Sequence, residues 1–151
     1  LRHVGIDPRR LALEWVSAAE APRFVEKVTE FTGVIRELGP LSSSADQGDH
    51  ALRRKIEAAK MAVSGQRMRT NVARQCKEIK ENGTYGAFPA EEKLLSVLKE
   101  EITLYETLLC LKERDRPAGE VAELLSLPED AVLASLETLK KKNLWPVASS
   151  A

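Results

Sequence analysis

The chain has 151 residues, enough for one ordinary domain or two very small ones. Its 23 basic and 23 acidic residues balance and 43% of its residues are hydrophobic, so nothing global points to nucleic acid or to a membrane surface. No apolar run approaches the roughly 20 residues that a bilayer span needs, no signal-peptide pattern opens the chain, and two cysteines make no disulfide framework. The composition is that of a soluble cytoplasmic protein.

Leu11-Ala12-Leu13-Glu14-Trp15-Val16 alternates in part and predicts a buried strand. A lone strand has no sheet to join, and the chain opens on Leu1 rather than Met. The expectation is therefore a sequence that begins inside a domain. Ser17 and Glu20 have the form of a capping box. Pro22 would sit too deep in a helix capped at Ser17, so the pattern predicts a turn over Ser17 to Glu20 and a helix from about Pro22. Phe24, Val28, Phe31, Ile35 and Leu38 define one apolar face of that helix, and Gly39-Pro40 ends it.

Leu41 to Gly48, with three consecutive serines, reads as a linker, and Asp49 is the expected cap of the next helix. Leu52, Ile56, Ala59 and Val63 make a helical stripe. Ser64-Gly65 interrupts it, and Met68, Val72, Cys76 and Ile79 continue out of phase, which fits one kinked helix or two in sequence. Asn82-Gly83 stops this stretch. Thr84 to Pro89 is a predicted turn whose Tyr85 and Phe88 pack on neighbouring helices.

From Ala90 to about Arg114, Leu95, Leu98, Ile102, Tyr105 and Leu109 mark a long helix, and Leu94, Leu104, Leu108 and Leu111 widen its stripe. It is the expected centre of the core. Pro117 to Leu125 reads as a short helix, Ser126-Leu127-Pro128 as a tight connection, and Pro128 to Lys142 as a second helix with Leu133, Leu136 and Leu139 inward. Together with the long helix this is the pattern of a helix-turn-helix tri-helical core. Val121, Ala122 and Leu125 are expected to pack against Val132 and Leu136.

Charge is unevenly distributed. Arg53, Arg54, Lys55, Lys60, Arg67, Arg69, Arg74, Lys77 and Lys80 face only Glu57 and Glu78 in the same stretch, and acidic residues dominate from Glu91 to Asp130. Neutralisation within the fold is the expected use of this separation, with partner steering the alternative. A DNA-reading helix-turn-helix contacts bases with the start of its second helix. Here that start is Glu129-Asp130, the wrong sign for a phosphate surface. The only basic cluster on that helix, Lys140-Lys141-Lys142, lies at the other end, where cations complement the helix dipole.

No catalytic constellation emerges. His3 and His50 fall in loops or at helix ends without a nearby nucleophile or second ligand. The neighbouring pairs Glu91-Glu92 and Glu100-Glu101 are expected to point to different sides of a helix and so not to share a site. Cys76 and Cys110 lie far apart with no CxxC spacing, and both are expected to be buried small apolar residues. No catalytic, cofactor-binding or metal-binding residue is assigned.

The run Gly5-Ile6-Asp7-Pro8-Arg9-Arg10-Leu11, leading into Leu13-Glu14-Trp15-Val16-Ser17-Ala18-Ala19-Glu20, resembles the C-terminal end of the iron–sulfur (delta) subunit of methyl-viologen-reducing hydrogenase, which partners heterodisulfide reductase. The resemblance covers roughly Leu1 to Leu41. It implies a flavodoxin-like carrier with a cysteine-bound [2Fe-2S] cluster, relaying electrons from a hydrogenase or similar donor to the flavin subunit of the reductase. Some longer members carry a helical extension ending in a helix-turn-helix, and Gly65-Gln66-Arg67-Met68-Arg69 and Asn82-Gly83-Thr84-Tyr85-Gly86 are similar to it. The family's cluster ligands lie upstream of the matching strand, so the resemblance places the [2Fe-2S] cluster outside this chain.

The expected architecture is mainly α. Residues 1–41 form a strand–helix remnant of the flavodoxin-like domain, residues 42–88 a basic helical connector, and residues 89–151 a helix-turn-helix, winged-helix-like core. The expected role is non-catalytic, the helical tail docking the carrier onto a heterodisulfide-reductase-like flavin subunit, onto a hydrogenase subunit or onto a second copy of itself. The alternative is a DNA-binding helix-turn-helix module.

Overall fold

A computed structural model of the chain describes residues 1–41, 47–83 and 90–145. The turn expected at Thr84 to Pro89 and most of the serine-rich linker lie outside the described residues. The described part is mainly α, as the sequence predicts: helices α1 (Ala21–Leu38), α2 (Gln47–Ser64), α3 (Gln66–Asn82), α4 (Ala90–Glu113), α5 (Ala118–Leu125) and α6 (Glu129–Lys141), with two short 3-10 turns at Arg2–Val4 and Pro8–Arg10. No strand occurs among the described residues. No helix among them is long and apolar enough to cross a membrane. The chain divides into two compact units, Leu1–Leu52 and Arg53–Ala151, the boundary falling inside α2.

In the first unit, the expected strand is absent. Leu11 is extended, with φ −131° and ψ 124°, but Leu11 to Val16 joins no ladder. At Leu11 the local preference for extension is met, and no second strand to pair with occurs among the described residues. The turn at Ser17 to Glu20 forms as expected. Glu20 Oε2 accepts the Ser17 amide at 2.9 Å, and the Glu20 amide donates to Ser17 O at 2.9 Å. The helix then starts at Ala21, with Pro22 in its first turn where a missing N–H costs nothing. Gly39, at φ +67°, follows its last turn.

In the second unit, Gly65 settles the alternative left open by the sequence: α2 and α3 are separate helices. Gly65 is extended (φ −69°, ψ 153°). A Cβ there would lie 3.2 Å from the Ala62 carbonyl oxygen and 3.3 Å from that of Met61, so glycine suits the close approach. Gly83, in the left-handed region at φ +63°, ends α3 and returns its amide to Ile79 O. Asp49 lies inside α2, which begins at Gln47, and does not precede it.

Helix α4 is the centre of this unit, with α3, α5 and α6 packed on it. Ile102, Leu104, Leu108, Cys110 and Leu111 are buried, and Leu98, Tyr105 and Leu109 half-buried. Cys110 and Leu111 join Val121, Ala122, Leu125 and Val132 in one core, with Leu136 packed against it. A second core contains Leu104, Leu108 and Leu139, flanked by Met61 and Tyr105. Trp145 packs on both. Pro117 and Pro128 occupy the caps of α5 and α6 in extended conformation, and Ser126, left-handed at φ 53°, turns the chain between them.

Three expected faces are rotated. On α2 the buried residues are Arg54, Ala58 and Ala62, four apart, whereas Val63 is exposed. Gln75 is the buried residue of α3, and Val72 and Cys76 are exposed. On α6, Val132, Ser135 and Leu139 are buried, and Leu133, expected inward, is 48% exposed.

Candidate functional site

The first unit carries an uncovered apolar surface. Leu11, Leu13 and Trp15 are 68%, 80% and 82% exposed. Phe24, Val25 and Val28 on the first half of α1 are exposed as well. The far half of α1 is better covered, with Phe31, Ile35 and Leu38 half-buried.

A polar clamp fixes that far end. The Arg10 guanidinium donates through Nη2 to Leu38 O at 3.0 Å, Gly39 O at 2.9 Å and Pro40 O at 3.2 Å, satisfying carbonyls that the helix end leaves unpaired. Beside it, Arg9 bridges Asp7 at 3.1 Å and Glu37 at 3.2 Å. The Arg9 hydrogen bonds hold the Asp7 carboxyl below its ordinary range. Replacing Arg10 with Ala removes a charge-assisted cap and is expected to destabilise the end of α1 by about 1–2 kcal/mol. Faster amide exchange over Glu37 to Pro40 is the corresponding readout.

In the second unit, Arg54 and Arg67 of the basic stretch are paired with carboxylates of the acidic one. Arg54 on α2 is buried, with Nη1 3.4 Å from Glu113 and Nε 4.0 Å from Oε1 of buried Glu106. Burial pushes the Glu106 carboxyl above its ordinary value, against the pull of Lys55 and Arg54. Arg67 on α3 reaches α4 with both arms, Nη2 to Glu100 at 2.6 Å and Nη1 to Glu101 at 3.0 Å. These bonds raise the Arg67 pKa, the one to Glu100 contributing most. Glu101 is only 2% exposed, and Lys142, just past α6, stands 3.6 Å from it. Glu100 is exposed and Glu101 buried, as expected of neighbours on different sides of a helix, and the Arg67 guanidinium fork reaches both.

A cleft of about 380 Å³ adjoins this junction, lined in part by Arg67, Glu101, Thr103, Ser135 and Thr138. The Ser135 hydroxyl is committed to Ala131 O at 2.9 Å, so it is not poised as a nucleophile. Of the two cysteines, Cys110 is buried and its thiol pKa is raised by that burial, whereas Cys76 is exposed on α3, against expectation. Iron–sulfur ligation needs several thiolates converging on one cluster, and these two do not provide such a set. His3 and His50 are both exposed. Among the described residues no three His, Cys, Asp or Glu side chains are grouped to hold a metal ion.

The outer side of α6 is the remaining distinctive surface. Glu129, Asp130, Leu133 and Glu137 are all exposed there, with Lys140 and Lys141 at its end.

Residues 1–39 match the family model of the methyl-viologen-reducing hydrogenase, delta subunit. That stretch contains both the uncovered apolar surface and the Arg10 clamp. The iron–sulfur subunit of the F420-non-reducing hydrogenase of Archaeoglobus profundus is 50% identical over 40 residues, 26% of this chain and 29% of that protein. A subunit of the ferredoxin:CoB-CoM heterodisulfide reductase of Methanosarcina mazei is 44% identical over 43 residues, 28% of this chain and 5% of that protein. Its counterpart in the ferredoxin/F(420)H(2)-dependent CoB-CoM heterodisulfide reductase of Methanosarcina acetivorans is 40% identical over 47 residues, 31% of this chain and 6% of that protein. The chain thus spans less than a third of the length of each of these relatives. No solved structure matches it.

Proposed function

We propose that this chain is a non-catalytic part of an electron-transfer subunit of a hydrogenase or heterodisulfide-reductase-type complex. Residues 1–41 are the C-terminal end of a flavodoxin-like carrier domain, and the helices behind them dock that carrier. The observation that carries the reading is the exposure of Leu11, Leu13 and Trp15 inside the segment that matches the family model of the hydrogenase delta subunit. A segment that joins no ladder and leaves Leu11, Leu13 and Trp15 exposed is suited to completing a sheet supplied by other residues. The [2Fe-2S] cluster of the complex belongs, in this reading, to the part that supplies the sheet.

Trp15 reports on the first half of the proposal. In this chain its emission is expected to be readily quenched by acrylamide. Supplying in trans the part of an iron–sulfur hydrogenase subunit that precedes the shared segment should protect it. A Trp15 that stays quenchable contradicts the reading.

DNA binding by the winged-helix-like core is the second reading. The acidic start of α6 supports docking over it, since phosphate contacts need Lys and Arg on the reading face. A gel-shift series on generic duplex at rising salt separates the two. Docking expects no retardation at any salt, and retardation that fades steeply with salt overturns it in favour of DNA.

A further inference from the structure

Four side-chain atoms are buried without a hydrogen-bond partner among the described residues: Arg54 Nε, Glu106 Oε1, Thr107 Oγ1 and Arg116 Nε. Buried polar atoms are nearly always satisfied, by protein or by an ordered water, because an unmade bond leaves the cost of desolvation uncompensated. Two of the four form a donor and acceptor pair where α2 meets α4. Arg54 Nε and Glu106 Oε1 stand 4.0 Å apart.

That separation is too long for a hydrogen bond. It suits one bridging oxygen, since two bonds of about 2.8–2.9 Å meeting at roughly 90° span it. The surroundings exclude anything larger. The side chains of Arg54 and Glu106 are 8% and 5% exposed. Ala58, one turn along α2 from Arg54, is fully buried, so the gap lies inside the packed contact and not at its rim. Charge narrows the choice further, because a cation would meet the guanidinium and an anion the carboxylate. What remains is a small neutral molecule that accepts from Nε–H and donates to Oε1. The guanidinium is meanwhile engaged on another side, where Nη1 donates to Glu113 at 3.4 Å.

We propose that a single internal water joins Arg54 Nε to Glu106 Oε1 and is a built-in part of the attachment of α2 to α4. It makes one bond to each helix, within the two to four that buried waters make. Arg54 then serves both of its carboxylates at once. It holds half-exposed Glu113 directly and buried Glu106 through the water.

The test is nuclear magnetic resonance of the whole chain labelled with nitrogen-15, reading cross-relaxation between water and the Arg54 Nε–H. The resonance is identified by its loss in Arg54→Lys. A resident water tumbles with the chain, so its cross-peak is expected to carry the sign of a contact inside the protein. Glu106→Leu removes the inner acceptor and is expected to weaken that cross-peak at least fivefold. Glu106→Gln keeps a carbonyl oxygen at the same position and is expected to retain it, which a general loosening of α2 would not allow. Circular dichroism checks that both variants fold. A wild-type Nε–H without such a cross-peak, or a cross-peak equally strong in Glu106→Leu, overturns the proposal. Should Glu106→Leu fail to fold, a high-resolution crystal structure of the wild type decides. An ordered water within about 3.2 Å of both atoms supports the proposal. A guanidinium in direct contact with Glu106, or a gap without ordered water, overturns it.

Discussion

Replacing Arg54 with Met is expected to destabilise the second unit by about 1.5–3 kcal/mol, the usual effect of losing a hydrogen bond between charged groups, here the one to Glu113. Arg54 is buried in α2 and has Glu106 and Glu113 as its carboxylate neighbours on α4. Glu113 lies half in solvent and can rehydrate when the guanidinium is lost, whereas Glu106 remains buried with its charge unpaired. Chemical denaturation followed at half-buried Trp145 reads the loss. Glu106→Gln is expected to have the opposite sign. Burial raises the folded-state pKa of Glu106, so its stabilising contribution is full below the unfolded-state pKa and is lost as pH rises through the folded one. The amide removes a charge that is unfavourable at neutral pH. The variant should therefore be more stable than the wild type at pH 7, and the advantage should disappear in acid. An Arg54→Met chain as stable as the wild type would show that the pair does not hold α2 to α4.

Leu139→Ala is expected to lower stability by about 3–4 kcal/mol, within the range for deleting a leucine side chain from a packed core. Leu139 is fully buried between Leu104 and Leu108, with Met61, Tyr105 and Trp145 around it. Its removal opens a cavity where α6 meets α4. Leu133→Ala, on the same helix and equally leucine in the pattern, is expected to change stability by less than about 0.5 kcal/mol because its side chain is half in solvent. The same denaturation measurement on both variants fixes which side of α6 is buried. Equal losses would restore the inward Leu133 that the sequence pattern suggests.

These two pairs of residues mark where the sequence is legible and where it is not. Helix ends are readable because they are punctuated locally: Gly39, Gly65, Gly83, Pro117 and Pro128 each stand at a boundary, through left-handed or extended backbone that a helix cannot use. The central place of α4 is readable from its dense leucines. The buried sides of α2, α3 and α6 are not, because a count of apolar residues gives no weight to Arg54, Gln75 or Ser135. Arg54 is drawn inward by acids more than fifty residues away, and Ala58 and Ala62 let α2 pack closely beside it. The same distance hides the Arg10 clamp on carbonyls 28 to 30 residues on and the Arg67 fork on two glutamates. Leu11 to Val16 shows the limit from the other side: extension is a local preference, but pairing belongs to residues elsewhere. The shared segment at residues 1–39 is legible as a resemblance because it is long and contains Trp15.

Isothermal titration of this chain against the flavin-bearing component of a heterodisulfide reductase and, separately, against a hydrogenase is the most direct measurement of the docking role. The account predicts saturable association with at least one of them, without iron or sulfide bound to the chain itself. Absence of association with both, or a stoichiometric iron–sulfur cluster in the chain, would contradict it.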